Sequence, residues 1–306
     1  MWNFARKMLR DICYRVPKTP HFTDYPSNIE LELTNDCNFS CSHCPRTYLA
    51  ESIYYLDFDL VEKIVSEIKS YDCCSLRLVG LGEPTLHPRF RDVISLITSA
   101  NIKLELTSNG NIFHIMSLEE ILVSGITTLE ISIDGSDVTT YEQKRPEGCH
   151  RFLTSKIAGL AELAKNATDK PRIVVRRVVF PNDSEEELRL YNEYWFKYSD
   201  SISYNIYTPV GRSTIYENFT KCQSIFSELK IRSTGGVPLC RFQCNFQPEI
   251  ELGNIANSSI QELWNSSALN ERRNVFLQEN WCHIDYCKYC AKQQEGKVNF
   301  IIVDKQ

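Results

Sequence analysis

The sequence lacks long apolar stretches. Its 306 residues contain no run approaching the about 18 apolar residues that a membrane-spanning helix needs. The N-terminal residues 1–10 also lack the apolar core and the small-residue cleavage site of a secretory signal peptide. These absences argue against a membrane span and against export, and they favour a cytoplasmic protein.

An excess of basic residues is missing as well. The chain has 34 Lys and Arg against 39 Asp and Glu, which gives a formal net charge of −5. Such a chain has no general basic surface for a nucleic acid, so a nucleic-acid partner is not expected. With 42% hydrophobic and 24% charged residues, the composition is typical of a folded globular protein that buries a large core.

Cysteine, by contrast, is abundant. Thirteen cysteines indicate either a disulfide-linked secreted protein or a cytoplasmic protein that binds metal through thiolates. The count is odd, the cysteines are clustered, and no signal peptide precedes them. We therefore expect metal ligation in a reducing compartment.

The chain is expected to have three parts. Residues 1–28 predict a basic helical lead. From residue 29, six predicted strands alternate with five helices, which is typical of right-handed βαβ units. We therefore predict an α/β fold with a partial (β/α)6 TIM-like barrel over residues 29–212, and chemistry at the carboxyl ends of its strands. Residues 213–306 lose the alternation and predict a small cysteine-rich domain. The predicted strands are Ile29–Leu33, Ser75–Leu81, Lys103–Thr107, Thr128–Ile133, Arg172–Val179 and Ser201–Tyr207.

Three cysteines, Cys37, Cys41 and Cys44, follow the first predicted strand. Three thiolates in one loop can hold three irons of a cubane cluster and leave the fourth iron open, as catalytic metal sites generally do. Zinc is the alternative, but it would need a fourth ligand. The nearby candidate is His43, and its position between Cys41 and Cys44 makes simultaneous ligation awkward.

The spacing C-x3-C-x-Φ-C resembles the signature of the radical S-adenosylmethionine (SAM) enzymes, with His43 at the usually aromatic position Φ. The resemblance implies a 4Fe–4S cluster whose open iron is chelated by SAM. It also implies that SAM is cleaved to a 5′-deoxyadenosyl radical, which abstracts hydrogen from a substrate.

Further motifs resemble this family at the ends of the next strands. The run from Gly80 to Pro84 is similar to its glycine-glutamate-proline motif, with Leu81 in place of one glycine, and implies a site for the ammonium of SAM. Segments 107–110 and 131–135 imply contacts to its ribose or carboxylate. Taken singly, each could be an ordinary Asn-Gly or Asp-Gly turn. The implied cofactor-binding residues are Gly82, Glu83, Pro84, Ser108, Asn109, Ser132 and Asp134.

A second cysteine set, which includes Cys222, Cys240, Cys287 and Cys290, lies near the end of the chain. Its spacing resembles that of the twitch and SPASM extensions of radical SAM enzymes. The resemblance implies an auxiliary 4Fe–4S cluster that carries electrons. The shorter twitch form fits better because no cysteine follows the last pair, and a structural zinc site is the alternative. Cys244 or Cys282 could replace one of the four implied cluster ligands. The implied ligands are Cys222, Cys240, Cys287 and Cys290.

The plan resembles that of 2-deoxy-scyllo-inosamine dehydrogenase. It implies oxidation of a hydroxyl-bearing carbon in a small sugar or aminocyclitol, with a flavodoxin- or ferredoxin-type electron donor. The alternatives are a maturase acting on a precursor peptide and a sugar epimerase. The 28-residue lead is short for a leader-binding domain, which favours the small substrate. Cys149, as a hydrogen donor, and Arg145 are candidate catalytic residues; Tyr141, His150, Arg176 and Arg177 could line the pocket.

Overall fold

The computed structural model describes the chain in seven segments: residues 23–49, 52–71, 74–180, 182–207, 224–240, 251–278 and 300–304. Most of the predicted N-terminal lead lies outside the described residues. So do Cys222, Cys287 and Cys290, three of the four predicted auxiliary-cluster ligands, together with Cys244 and Cys282.

Within these residues an eight-stranded sheet has the order β10-β6-β5-β4-β3-β2-β1-β7. Strands β1 to β7 pair in parallel, and β10 pairs antiparallel with β6. The predicted α/β fold with a partial barrel is confirmed. A separate two-stranded sheet joins β8 and β9. The strands are β1 Asn28–Leu31, β2 Ser75–Leu78, β3 Lys103–Ser108, β4 Ile126–Ser132, β5 Arg172–Val179, β6 Ser201–Ile206, β7 Glu228–Ile231, β8 Gly236–Pro238, β9 Glu251–Asn254 and β10 Phe300–Asp304.

Helices connect the parallel strands, and several begin where the sequence supplies a cap. Ser117, Ser184 and Ser259 each form a capping box with a glutamate three residues later, which satisfies backbone donors that the first turn leaves free. The helices are α1 Phe58–Lys69, α2 Phe90–Ser99, α3 Ile112–Ile115, α4 Leu118–Leu122, α5 Val138–Lys144, α6 His150–Ala164, α7 Glu185–Trp195, α8 Ser224–Ser227, α9 Ile260–Trp264 and α10 Ser267–Leu277.

One face of the main sheet is apolar and packs in the hydrophobic core with the helices. Side chains alternate between the two faces along a strand, and the apolar set is fully or almost fully buried. Because that face is covered by amphipathic helices, its burial is the main source of the fold's stability. Its residues include Leu31, Leu78, Leu106, Ile131, Val175 and Ile231.

The opposite face of the sheet is charged. Glu30 is in register with Arg77 on β2 and with Lys230 on β7, and Arg77 is in register with Glu105. The same face carries Glu130 and Arg176 on the next strands, because Thr107 pairs with Glu130 and Ser132 pairs with Arg176. These six residues are three acids and three bases on neighbouring strands, so buried charges of opposite sign lie close together, as they must.

Two strands of the main sheet come from the range assigned to the separate C-terminal domain. Strand β7 lies beside β1, and β10 lies beside β6. The prediction that strand alternation is lost over residues 213–306 therefore missed both edge strands. They are short, and β10 is antiparallel, so no βαβ pattern marks them in the sequence. Among the described residues, no helix is long and apolar enough to cross a membrane.

Candidate active site

The cysteine loop follows β1 and is closed by short backbone hydrogen bonds. The amide of Cys44 donates to the carbonyl of Cys41 at 3.0 Å, and a 3-10 turn runs over Pro45–Tyr48. Arg46 donates to the carbonyls of Cys37 at 3.3 Å and Phe39 at 2.9 Å. These contacts hold the three cysteines in one compact loop.

Nitrogen donors surround two of the three sulfurs. The amide of Phe39 lies 3.5 Å from Cys37 Sγ, Asn109 Nδ2 lies 3.8 Å from the same sulfur, and Arg145 Nη1 lies 3.7 Å from Cys41 Sγ. Burial raises the pKa of Cys37 to about 11 and also raises the pKa of Cys41. Metal ligation deprotonates such thiols, and N–H donors to sulfur tune iron–sulfur clusters. The donor set fits a three-thiolate cluster site.

The glycine loop after β2 lies directly against the cysteine loop. A Cβ on Gly82 would be 2.3 Å from the carbonyl oxygens of Thr34 and Asp36. The next amide, of Glu83, donates to the carbonyl of Asp36 at 2.7 Å. Only glycine permits this approach of two backbones, so packing against the cysteine loop already requires a glycine at position 82, and its predicted contact with the cofactor stays a prediction.

Glu83 is buried, and its carboxylate binds neighbouring loops. Its oxygens accept from Ser108 Oγ at 2.8 Å, Thr85 Oγ1 at 2.7 Å and the amide of Asn109 at 2.7 Å. Burial raises the pKa of Glu83, although these donors oppose the shift. The predicted cofactor residues Glu83 and Ser108 therefore use their side chains on each other, and Pro84 begins the 3-10 turn Pro84–Leu86.

Asn109 connects the end of β3 to the cysteine loop. Besides its contact with Cys37 Sγ, its Nδ2 donates to Asn38 Oδ1 at 2.9 Å. Its own Oδ1 accepts from the amide of Asn111 at 3.0 Å. The structure thus brings segments 80–84 and 107–110 to the cysteines, and the contacts of these segments with the cofactor stay a prediction.

A buried charged group follows β4. Asp134 accepts from Arg145 Nε at 2.7 Å and from the amide of Val178 at 2.7 Å, and His43 Nε2 lies 3.4 Å away. Burial opposes ionisation of Asp134, but Arg145 and His43 outweigh it and lower its pKa. Burial lowers the pKa of His43 despite Asp134. The aspartate therefore holds the Arg145 guanidinium beside Cys41.

The remaining predicted residues lie nearby but make fewer contacts. Ser132 is half-buried at the end of β4, in register with Arg176. Cys149 is exposed and precedes α6. Two residues before it, Glu147 accepts a hydrogen bond from the amide of Ser40 at 3.0 Å, so the Cys149 loop contacts the cysteine loop.

The four other residues that were expected to line the pocket lie in different places. Arg176 lies on the charged face, with its Nε 2.5 Å from Glu130 Oε1. Arg177 points to the other face and pairs with Asp183 at 2.8 Å. Tyr141 and His150 are buried in an aromatic cluster that includes Tyr194 and Trp195. Of these four, Arg176 is the one on the face that a substrate in the barrel would meet.

Sequence reasoning missed Glu147, which holds the cysteine loop from outside it, and Asn38 within that loop, which accepts from Asn109. Glu147 and Ser40 are separated by 107 residues, so no local motif could reveal the contact. On the auxiliary side, Cys240 is half-buried and follows β8. The other predicted ligands of that cluster lie outside the described residues.

Comparison with known protein families identifies this architecture. A model of the radical SAM superfamily matches residues 31–193, and a model of the SPASM iron–sulfur cluster-binding domain matches residues 222–291. The first match covers more than half of the chain, so the protein belongs to the radical SAM superfamily. It is a radical SAM enzyme with a SPASM domain, and its cofactors are SAM and 4Fe–4S clusters.

Individual relatives are more distant. The chain is 29% identical over 107 residues to a tungsten-containing aldehyde ferredoxin oxidoreductase cofactor-modifying protein of Pyrococcus furiosus, which covers 34% of this chain and 30% of that protein. The matches to the first curated relatives span only 30% to 40% of those proteins.

Two solved structures share the fold along most of the chain. BtrN in complex with AdoMet and 2-DOIA is 17% identical, with a TM-score of 0.61 over 90% of this chain and 98% of that one. SuiB of Streptococcus suis bound to S-adenosylmethionine is 13% identical, with a TM-score of 0.69 over 95% of this chain and 77% of that one. At these identities the likeness establishes the fold alone.

Proposed function

We propose that this enzyme oxidises a hydroxyl-bearing carbon of a small sugar or aminocyclitol to a carbonyl in the reducing cytoplasm, with electrons supplied by a flavodoxin- or ferredoxin-type protein. When bound, SAM and the two clusters supply a hydrogen-abstracting 5′-deoxyadenosyl radical and an acceptor for the remaining electron. The hydroxyl proton must then be taken by a group of the chain.

The charged face of the sheet is the observation that carries this proposal. Glu130 and Arg176 lie on it beside Ser132, at the strand ends where the cofactor is expected. Its acids and bases lie side by side, so it offers both hydrogen-bond donors and acceptors. A polyol or amino alcohol satisfies such groups, whereas the apolar side chains of a peptide would leave them buried and unpaired.

Glu130 is the proposed proton acceptor. Its carboxylate is 5% exposed, contacts Arg176 through Oε1 and accepts from Thr107 Oγ1 at 3.2 Å through Oε2. A carboxylate can accept a proton, whereas a guanidinium cannot. Arg176 thus serves to orient the Glu130 carboxylate.

Arg145 is proposed to bind the cofactor. Asp134 holds its Nε, and its Nη1 is beside Cys41. The guanidinium still presents a planar set of donors that suits a carboxylate, and the carboxylate of SAM would be such a group. This role differs from the catalytic one expected from the sequence, because Arg145 is held by a buried carboxylate and cannot release a proton.

Peptide modification is the second candidate function. SuiB, which shares this fold, has also been solved with its precursor peptide SuiA, and the exposed Cys149 could act as a hydrogen donor in an epimerisation. We propose ligation of the first cluster by Cys37, Cys41 and Cys44 for either reaction, so the two candidates differ only in the substrate and the fate of its radical.

Deuterium transfer distinguishes these reactions. Anaerobically reconstituted enzyme is reduced in the presence of SAM and a panel of aminocyclitols and sugars deuterated at each hydroxyl-bearing carbon. We expect one deuterium in 5′-deoxyadenosine for each carbonyl product formed. The proposed oxidation would be contradicted if the enzyme turned over only a precursor peptide, or if the product in deuterated water were an epimer that carries deuterium from the solvent.

A further inference from the structure

Glu32 joins three separate segments around the active site. It follows β1, shortly before Cys37, and is 1% exposed. Its Oε2 accepts from the amide of Leu81 at 2.8 Å, in the glycine loop. Its Oε1 accepts from Ser233 Oγ at 3.0 Å and from the Ser233 amide at 3.3 Å. Lys230 Nζ lies 3.9 Å from Oε2.

The glycine loop is built to receive this carboxylate. A Cβ on Gly80 would lie 2.3 Å from Glu32 Cγ and 2.6 Å from Oε2. Any side chain at position 80 would therefore displace Glu32 from the Leu81 amide. Because Gly80 has no side chain, it leaves the space that the Glu32 side chain occupies.

The hydrogen bond to Leu81 also fixes a carbonyl. The amide of Leu81 and the carbonyl of Gly80 belong to the same planar peptide, and no peptide bond in the described residues is cis. In a trans peptide the N–H and C=O point in opposite directions. Since the Leu81 N–H points at Glu32, the Gly80 carbonyl points away from it.

We propose that Glu32 is a positioning residue for the amino group of SAM. Its carboxylate turns the Leu81 peptide so that the Gly80 carbonyl is presented as an acceptor for that amino group. The inference rests on the site for the SAM ammonium that the resemblance implies for the glycine loop, which we propose here as well. Neither the cysteine signature nor the glycine-glutamate-proline motif contains Glu32.

The SPASM segment completes this arrangement. Ser233 and Lys230 lie within the stretch 222–291 that matches the SPASM domain. They hold the second oxygen and the charge of Glu32, which limits the rotation of its side chain. SAM affinity is therefore expected to depend on the hydroxyl of Ser233, which is separated from Glu32 by 201 residues in the sequence.

The test compares SAM with an analogue that lacks its amino group. Equilibrium binding of both ligands is measured on reconstituted wild type and on Glu32→Gln, with iron content and thermal unfolding determined for each. Glu32→Gln is expected to weaken SAM binding about tenfold, the effect of one lost charge-assisted hydrogen bond. Binding of the analogue is expected to change by less than about twofold, because the analogue makes no use of the carbonyl.

Two further variants sharpen the result. Glu67→Gln is the matched control, because Glu67 also joins the barrel to the SPASM segment, through the amide of Ile260 at 2.7 Å, but on α1; it should leave both affinities unchanged. Ser233→Ala should reproduce the selective loss at about threefold, and it serves as the test if Glu32→Gln does not load its cluster.

The proposed role of Glu32 would be overturned if Glu32→Gln weakened the binding of SAM and of the analogue equally, or if both Glu32→Gln and Ser233→Ala left SAM binding unchanged. Either result would leave the cofactor role of the glycine loop standing. A wild type that binds SAM no better than the analogue would overturn the proposed cofactor role of the glycine loop as well.

Discussion

The two sides of the active site are built from different interactions. At the ends of β1, β2 and β3, backbone amides and hydroxyls bind buried carboxylates. Glu83, for example, accepts from Ser108, Thr85 and Asn109. At the ends of β4 and β5, charged pairs dominate, with Asp134 on Arg145 and Glu130 on Arg176.

This difference separates the tasks of the two sides. The first side fixes the cysteine and glycine loops by hydrogen bonds that are complete within the protein, so it can serve a cofactor common to the whole superfamily. The second side keeps buried charges: Arg145 is proposed to bind the cofactor, whereas Glu130 and Arg176 form a pair that a substrate can share. Specificity for a particular substrate is therefore expected at β4 and β5.

The largest effect should come from the cysteine loop. Cys41→Ala removes one thiolate of the proposed first cluster, so iron per chain should fall from about eight to about four. Formation of 5′-deoxyadenosine should drop at least about 10⁴-fold, below detection. Retention of all the iron with normal cleavage of SAM would show that Cys41 is not a ligand.

Glu130→Gln should separate the two sides most clearly. It removes the proposed proton acceptor but preserves the shape of the side chain, so carbonyl formation should slow about 10²- to 10⁴-fold. Cleavage of SAM should continue, because the first side is intact. The measurement is the ratio of 5′-deoxyadenosine to product, and a ratio unchanged from wild type would remove Glu130 from the chemistry.

Arg145→Lys tests the proposed contact between Arg145 and the cofactor. It keeps the positive charge beside Asp134 but loses the planar donors, so the KM for SAM should rise about 10- to 100-fold, the value of one or two charge-assisted hydrogen bonds. The KM for the substrate should stay within about twofold. A rise in substrate KM alone would place Arg145 in the substrate site.

Ser108→Ala tests the hydrogen-bonded side. It deprives the buried Glu83 of one donor, so the free energy of unfolding should fall by about 1–3 kcal/mol. Denaturant unfolding of the reconstituted protein measures this loss. The same change made on the charged side, Ser132→Ala, should cost less, because Ser132 is half-buried; an equal loss would show that the two sides do not differ in this respect.

Cys149→Ala should have the smallest effect. Dehydrogenation returns no hydrogen atom to the substrate, so product formation should change less than about twofold. Cleavage of SAM without product in this variant would favour the epimerase alternative.

Much of the first side could be predicted from sequence because its residues lie in short motifs at strand ends. The spacing of Cys37, Cys41 and Cys44 and the run from Gly80 to Pro84 each fall within one loop. The partners that orient these loops could not be predicted. Glu32 reaches Ser233, and Ser40 reaches Glu147, and such contacts exist only after the sheet has formed.

The contacts of individual motif residues were also harder to predict than which residues belong to the motifs. Asp134 and Glu83 were expected to contact the cofactor, yet their carboxylates bind Arg145 and Ser108. A buried carboxylate needs several donors, and the sequence does not show which donors are near. The edge strands β7 and β10 were missed for a similar reason, because their pairing partners are distant in the chain.

The central claim is that the Cys37–Cys44 loop holds a cluster with a coordination position open to SAM. The most direct test is electron paramagnetic resonance of the reduced, reconstituted Cys240→Ala variant, in which the proposed auxiliary cluster has lost a ligand. We expect a 4Fe–4S signal that remains in this variant and shifts when SAM is added. A signal that does not move with SAM, or that disappears with Cys240, would contradict the account.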